Sequence, residues 1–241
     1  GEYQPGWMLL SYGKKVSVSS SLEGYPAENI VDEDARTAWV AQSNRDMEWA
    51  QVDLQRLSSI HAIQVNFDEY GANQKGAVSG VYQSYLIYAS VNGEDWSLVV
   101  DYGTKKTDTP HDYIEFEEPF KARYIKLQNK EYTVSENFSV RDLRIFGKGQ
   151  GSTPRAVNDF TVERDEADPC KARLCWEAVP DAQGYIVRYG IAGDKLYNNF
   201  QVMGENTLEI GSLNKGVAYY FTIDAYNENG ITRTSRIKVC R

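Results

Sequence analysis

The sequence has no run of eighteen apolar residues, so it offers no helix able to span a bilayer. Histidine occurs only twice, at His61 and His111. No Gly-x-Ser-x-Gly, His-Glu-x-x-His or Cys–His arrangement accompanies either one. Acid pairs such as Glu117-Glu118 are strand neighbours that point to opposite faces and cannot flank one bond. The chain therefore reads as non-enzymatic. Positive charge is in deficit, with 26 Lys and Arg against 34 Asp and Glu, a net charge of −8. That balance argues against a nucleic-acid backbone or an anionic membrane as partner, and it fits neutral or cationic ligands, or simple solubility. Cysteine is scarce too: Cys170, Cys175 and Cys240 lack the paired spacing of a zinc site, and their odd number leaves at least one thiol unbridged or intermolecular. No signal peptide is recognisable, and the chain starts at Gly1, so a processed or trimmed piece of a longer secreted protein is expected.

Short alternating segments are abundant, and no stretch of a dozen residues keeps a helical stripe. Eight strands are predicted before residue 147, among them Glu48–Leu54, Ile60–Phe67, Tyr113–Glu117 and Arg123–Gln128. Asn92-Gly93 is a two-residue hairpin signal. Eight short strands joined by longer loops imply a jelly-roll sandwich. The glycine-rich residues 148–154 read as a linker, and no phosphate loop fits there because no helix follows. Seven further strands follow, ending with Thr232–Val239, in the size range of an Ig-like sandwich. The fold class is all-β, with two sandwiches in tandem.

The most informative stretch is Pro26-Ala27-Glu28-Asn29-Ile30-Val31-Asp32-Glu33-Asp34-Ala35-Arg36-Thr37-Ala38-Trp39, which sets short oxygen-bearing side chains at 29, 32, 34 and 37. Turns of that density are how a chain wraps a hard cation. The later segments Trp49-Ala50-Gln51-Val52-Asp53-Leu54, Tyr85-x-Ile87-x-Ala89-Ser90-x-Asn92-Gly93-x-Asp95-Trp96, Ala122-Arg123-Tyr124-Ile125-Lys126-Leu127 and Val140-Arg141-Asp142-Leu143-Arg144-Ile145-Phe146-Gly147 are in order with it. Together these segments resemble a discoidin-type, coagulation-factor-5/8 type C domain over residues 12–147, and within that group carbohydrate-binding module family 32. The resemblance implies a structural calcium held by Asn29, Asp32, Asp34, Thr37 and Asp142, the last an Asp where relatives carry Glu. An Asx-rich turn holding a water or nothing is the alternative. It also places Trp39, Trp49 and Trp96 in the core.

In that fold ligands bind at the loops on one end of the sandwich, here 42–47, 68–83, 104–112 and 130–139. Sugar recognition needs an aromatic face and polar groups for hydroxyls. Asn44, Arg45, Tyr70, Tyr82, His111, Tyr132 and Phe138 are the candidates, with Asn73 and Asn137 beside them. The expected partner is a glycan. Asn137-Phe138-Ser139 is also a glycosylation sequon, relevant only in a eukaryotic secretory host.

Residues 155–241 resemble a fibronectin type III domain through Trp176, Tyr185-x-Val187-x-Tyr189, and Leu213 with Tyr219 as the tyrosine corner. A Cys170–Cys240 bridge is geometrically possible in that topology, and three unpaired thiols are the alternative. Residues 1–11 resemble the connector that follows a family 43 glycoside hydrolase domain, with Trp7, Met8 and Leu9 packing on it. The resemblance therefore implies the accessory part of a secreted, periplasmic or cell-surface bacterial enzyme, and a preceding catalytic domain as second partner. Two other roles stay open: a buttress completing that catalytic site, and adhesion to a protein or cell surface. Membrane insertion is not expected, since the 68–83 loop carries Lys75 as its only cation.

Overall fold

The computed structural model describes residues 7–72 and 79–241. The chain divides into two units between Gln150 and Gly151, and each is described by itself. The first unit contains β1 (Met8–Leu9), β2 (Lys15–Val18), β3 (Trp39–Val40), β4 (Trp49–Phe67), β5 (Gln83–Ser90), β6 (Ser97–Tyr102), β7 (His111–Tyr132) and β8 (Ser139–Gly149). One 3-10 turn, Ala27–Ile30, sits in the acid-rich stretch. The hydrogen-bonded order is β1-β8-β4-β7-β5-β6, with β2 added to β4 and β3 to β8.

β4 and β7 each fuse two predicted strands. At 19 residues, β4 would reach roughly 60 Å if straight, so it must fold over. It does so between Asp53 and Ser58, where its register with β7 shifts. Gln55 adopts φ +65° there, its N–H donates to Asp53 Oδ1 at 2.7 Å, and Arg123 grips the same carboxylate at 2.9 and 3.1 Å. Both halves bury their inward sets: Ala50, Val52 and Leu54 before the bend, and Ile60, Ile63, Val65 and Phe67 after it. Each large side chain so buried contributes about 1.5–3 kcal/mol.

Three expectations change here. Met8–Ser11 is no connector: β1 pairs with β8, Met8 and Leu10 are buried, and Ser11 Oγ accepts the Ile145 N–H at 3.0 Å. Residues 1–6 lie outside the described residues. Asn92-Gly93 is not a two-residue turn, because pairing stops at Ala89 and Ser97. The Asn92 Oδ1 accepts the Glu94 and Asp95 N–H groups, which widens the loop. Trp49 and Trp96 are half-exposed rather than core, and the Lys126 ammonium lies 5.1 and 4.5 Å from their rings. Trp39 is fully buried as expected.

The second unit has β9 (Phe160–Arg164), β10 (Ala172–Trp176), β11 (Gly184–Gly190), β12 (Asn198–Met203), β13 (Thr207–Ile210), β14 (Tyr219–Asn227), β15 (Gly230–Thr232) and β16 (Lys238–Cys240). One sheet is β13-β10-β9 and the other β12-β11-β14-β15, with β16 also on β14. Leu174, Trp176, Tyr185, Val187, Phe221 and Ile223 form its core. The predicted final strand is broken because side chains of β14 replace ladder bonds: Asp224 accepts the Thr234 N–H at 3.2 Å, and Thr222 donates to the Arg236 carbonyl at 2.9 Å. The residues read as a linker are also structured: β8 runs to Gly149, and Pro154 is buried in the second unit. All three cysteines are free thiols, Cys170 exposed and Cys240 buried.

Candidate functional site

β4 starts beside the 42–48 loop and ends beside the 68–72 segment, so the folded strand returns to the end it left. Long-range hydrogen bonds gather the loops there. Asn129 N–H donates to Glu48 O at 2.9 Å, Phe138 N–H to Ser43 O at 2.9 Å, and Asp68 N–H to Ser139 O at 3.0 Å. The Gln83 side chain ties in the 104–112 loop, donating to Asp108 at 2.9 Å and accepting from the Thr109 N–H at 2.7 Å.

Beneath these loops lies an aromatic layer. Phe138 packs edge-on to Trp39 and Tyr132, with ring centroids 5.7 and 5.4 Å apart, and Phe67 joins them at about 6 Å. Phe138 and Tyr132 are buried, so neither offers a ring face to a ligand. That corrects their expected role: an apolar ring under a polar loop cluster gains more from burial than from exposure. The Tyr132 hydroxyl donates to the Asp68 carbonyl, and burial pushes its pKa upward.

Above the layer is an open concavity of about 460 Å³ lined by Asn44, Arg45, Asp46, Tyr82, Lys130, Glu131, Tyr132 and Thr133. Arg45 is exposed and Tyr82 half-buried. Tyr82 donates to Glu131 Oε2 at 2.6 Å, and Lys106 Nζ stands 5.4 Å from its ring centroid. The Tyr82 hydrogen bond, then the Lys106 charge, hold the Glu131 carboxyl below its usual range. Asn44 is committed to architecture: its amide donates to the carbonyls of Tyr132 and Ser135 at 3.1 and 3.0 Å. Asn129, not anticipated from sequence, donates to the carbonyls of Asn44 and Arg45 at 2.8 and 2.9 Å and so positions Arg45. Asp46, Lys130, Glu131 and Thr133 were also missed, since none belongs to a motif and Lys130 and Glu131 sit at the end of β7.

The other candidates lie elsewhere. Tyr70 packs edge-on to Tyr25 at 4.9 Å. Asn137 donates to Ala41 O at 2.8 Å, which engages the sequon amide in the fold. Asn73 and Lys75 lie outside the described residues. His111 is exposed, with Nδ1 3.1 Å from Asn66 Oδ1. The Asn66 amide donates to Asp142 Oδ2 at 3.0 Å, so His111 is engaged with β4 and does not line the concavity. A larger concavity of about 650 Å³ lies toward the opposite end of the sandwich, where Trp7 stacks on His61 beside Glu115 and Glu117.

In the acid-rich turn, Asp32 accepts the Thr37 hydroxyl at 2.6 Å and the Asp34 N–H at 2.9 Å. Asp34 turns its carboxylate out to Arg36, at 3.0 Å to both Nε and Nη2, and that hydrogen bonding holds its carboxyl below the ordinary value. The Asn29 amide donates to Ala38 O at 2.8 Å. Asp142 is buried. Burial raises its carboxyl, and the charge of Asp32 adds to the rise, while the Asn66 hydrogen bond and Arg144 oppose it. Among the described residues no cluster of three or more His, Cys, Asp or Glu side chains forms a cation cage. A hard cation takes oxygen ligands, and the side chains brought together here that carry them are Asp32, Asp142 and Thr37.

The F5/8 type C domain family pattern matches residues 15–143. The chain belongs to that family. Rat lactadherin is 33% identical over 110 residues, covering 43% of this chain and 25% of that protein. Mouse lactadherin is 32% identical over the same length, covering 43% and 23%. The chain thus spans about a quarter of the length of the curated relatives it matches. Among solved structures, chitosan-binding module 1 of a Paenibacillus sp. IK-5 chitosanase/glucanase aligns with TM-score 0.49 and 20% identity, over 58% of this chain and 99% of that one. The family 32 carbohydrate-binding module of C. perfringens NanJ, in complex with galactose, aligns with TM-score 0.47 and 17% identity, over 58% and 98%.

Proposed function

We propose that this F5/8 type C domain is a non-catalytic carbohydrate-binding module in the accessory part of a secreted bacterial polysaccharide-degrading enzyme, with the second unit a fibronectin type III spacer. One observation carries the reading: Arg45 and the half-exposed Tyr82 ring share a single open concavity at the loop end. The ring supplies a face for sugar C–H groups, and the guanidinium supplies paired donors for oxygens. Asn129 and Asn44 hold the loop backbone so that little ordering is left to do on binding. Tethering a module of this kind to an enzyme raises its local concentration on a glycan.

A structural calcium belongs to the same reading. Asp32 and Asp142 would hold it through carboxylates, Thr37 through its hydroxyl, and Asn29 and Asp34 through backbone carbonyls. The ion would neutralise the two facing acids and pin the turn, with no part in ligand chemistry.

Titration calorimetry on the whole chain, guided by a glycan array, tests the assignment. Tyr82→Ala should weaken binding at least tenfold with little change in melting temperature. No binding to neutral or acidic glycans, together with a stable complex on the parent's isolated catalytic domain, would favour the buttress role instead.

A further inference from the structure

The concavity differs in charge from the chain that carries it. The sequence is acidic overall, at −8, which by itself favours neutral or cationic ligands. Both acids lining the site are answered by lysines, Asp46 by Lys130 Nζ at 4.0 Å and Glu131 by Lys106 Nζ at 3.5 Å. Arg45 is the charge left over. Its N–H donates to Ser43 Oγ at 3.2 Å and its carbonyl accepts from Asn129 at 2.9 Å, so its backbone is fixed. Its guanidinium has no hydrogen bond or ion pair among the described residues, and the residue is exposed.

A guanidinium is a planar fork of donors with no acceptor, and its best match is a planar carboxylate bound through two parallel N–H···O bonds. Neutral hydroxyls satisfy some of those donors but leave the charge uncompensated. Tyr82 and Lys106 together hold the Glu131 carboxylate, so that its charge is turned to partners already present. The Lys106–Glu131 and Lys130–Asp46 pairs cancel, so the net positive charge of the lining is that of Arg45, and its pull on an anion falls off with salt.

We propose that the loop-end concavity recognises a sugar bearing a carboxylate, with Arg45 gripping the carboxylate and Tyr82 under the sugar ring. This rests on the carbohydrate-binding reading and narrows it to acidic glycans. Hexuronic and nonulosonic acids share the chemistry, and the experiment separates them.

The test is a panel of galacturonic, glucuronic and sialic oligosaccharides offered to the whole chain as matched free acids and methyl esters, beside neutral and sulfated sugars. At least one free acid should bind tenfold or more tighter than its ester. Arg45→Gln should erase that preference while leaving the melting temperature unchanged, and rising salt should weaken the acid and not the ester. Equal binding of acid and ester, binding of neutral sugars alone, or a preference for sulfated sugars overturns the proposal and leaves the carbohydrate-binding reading standing. Failure of every sugar to bind overturns both. An acid preference that survives Arg45→Gln would also overturn the role of Arg45.

Discussion

The two units are both β-sandwiches that tie turns to strands through hydroxyls and amides, yet the first also turns Arg45 and Tyr82 into an open concavity at its loop end. In the second unit, aromatic hydroxyls and amides tie turns back to strands. Val179 N–H donates to the Tyr185 hydroxyl at 2.7 Å, Asn214 N–H to the Tyr219 hydroxyl at 3.0 Å, and Asn206 to Trp176 O at 2.8 Å. Arg164 adds bonds to the carbonyls of Asn214 and Val217. In the first unit, Phe138, Tyr132 and Trp39 are buried as a floor, and the loops above carry Arg45 and Tyr82 outward. A ligand surface made of loops needs a sealed layer beneath it. Sequestering aromatics as that floor leaves the Arg45 guanidinium above it exposed and without a partner among the described residues.

The comparison breaks most sharply at Phe138. Phe138→Ala should cost the first unit about 3–5 kcal/mol, since a large buried ring leaves a cavity. Calorimetry of the whole chain should show the first-unit transition falling and the second unmoved. A smaller effect is expected at Tyr219: Tyr219→Phe strands the Asn214 N–H and should cost about 1 kcal/mol, roughly 4–8 °C for a domain of that size. Loss of less than a degree would mean that the Arg164 contacts alone hold the turn.

The smallest effect concerns Asp142 and is one of sign. Its folded carboxyl lies above the ordinary 3.8, so the native state holds the proton more tightly than the unfolded chain. Its contribution to stability is therefore present at low pH and is lost as pH rises above 3.8 through the folded value. Asp142→Asn should raise the melting temperature at neutral pH without calcium. Calcium should raise that of the natural chain and not of the variant. A variant that melts lower without calcium would show that the charged form is already satisfied by Asn66 and Arg144.

Much of the fold was legible in the sequence. The alternation in residues 219–225 predicts Tyr219, Phe221, Ile223 and Ala225 as an inward face, and the structure buries all four, because a strand's period of two is local. The bend that fuses two predicted strands into β4 was not legible, since Gln55 sits in a conformation stabilised by Asp53 and the distant Arg123. Of the ligand candidates, Asn44, Arg45, Tyr82 and Tyr132 line the concavity, and Phe138 is buried in the aromatic layer. Tyr70 and His111 face other neighbours. Nothing in a loop's composition separates these fates, because a tyrosine in the 130–139 loop and one at position 82 are chemically equal until Asp68, Ser43 and Thr133 come to meet them.

By itself, the sequence determined the all-β class, the strand faces, the acid-rich turn and the family of the first unit, all of which follow from residue order over short spans. Only tertiary structure decided that Met8–Ser11 belongs to the sandwich, that two loop aromatics are core, and that Arg45 and Tyr82 line one concavity. Those outcomes depend on exposure and proximity, and both are set by segments distant in sequence that pack over one another.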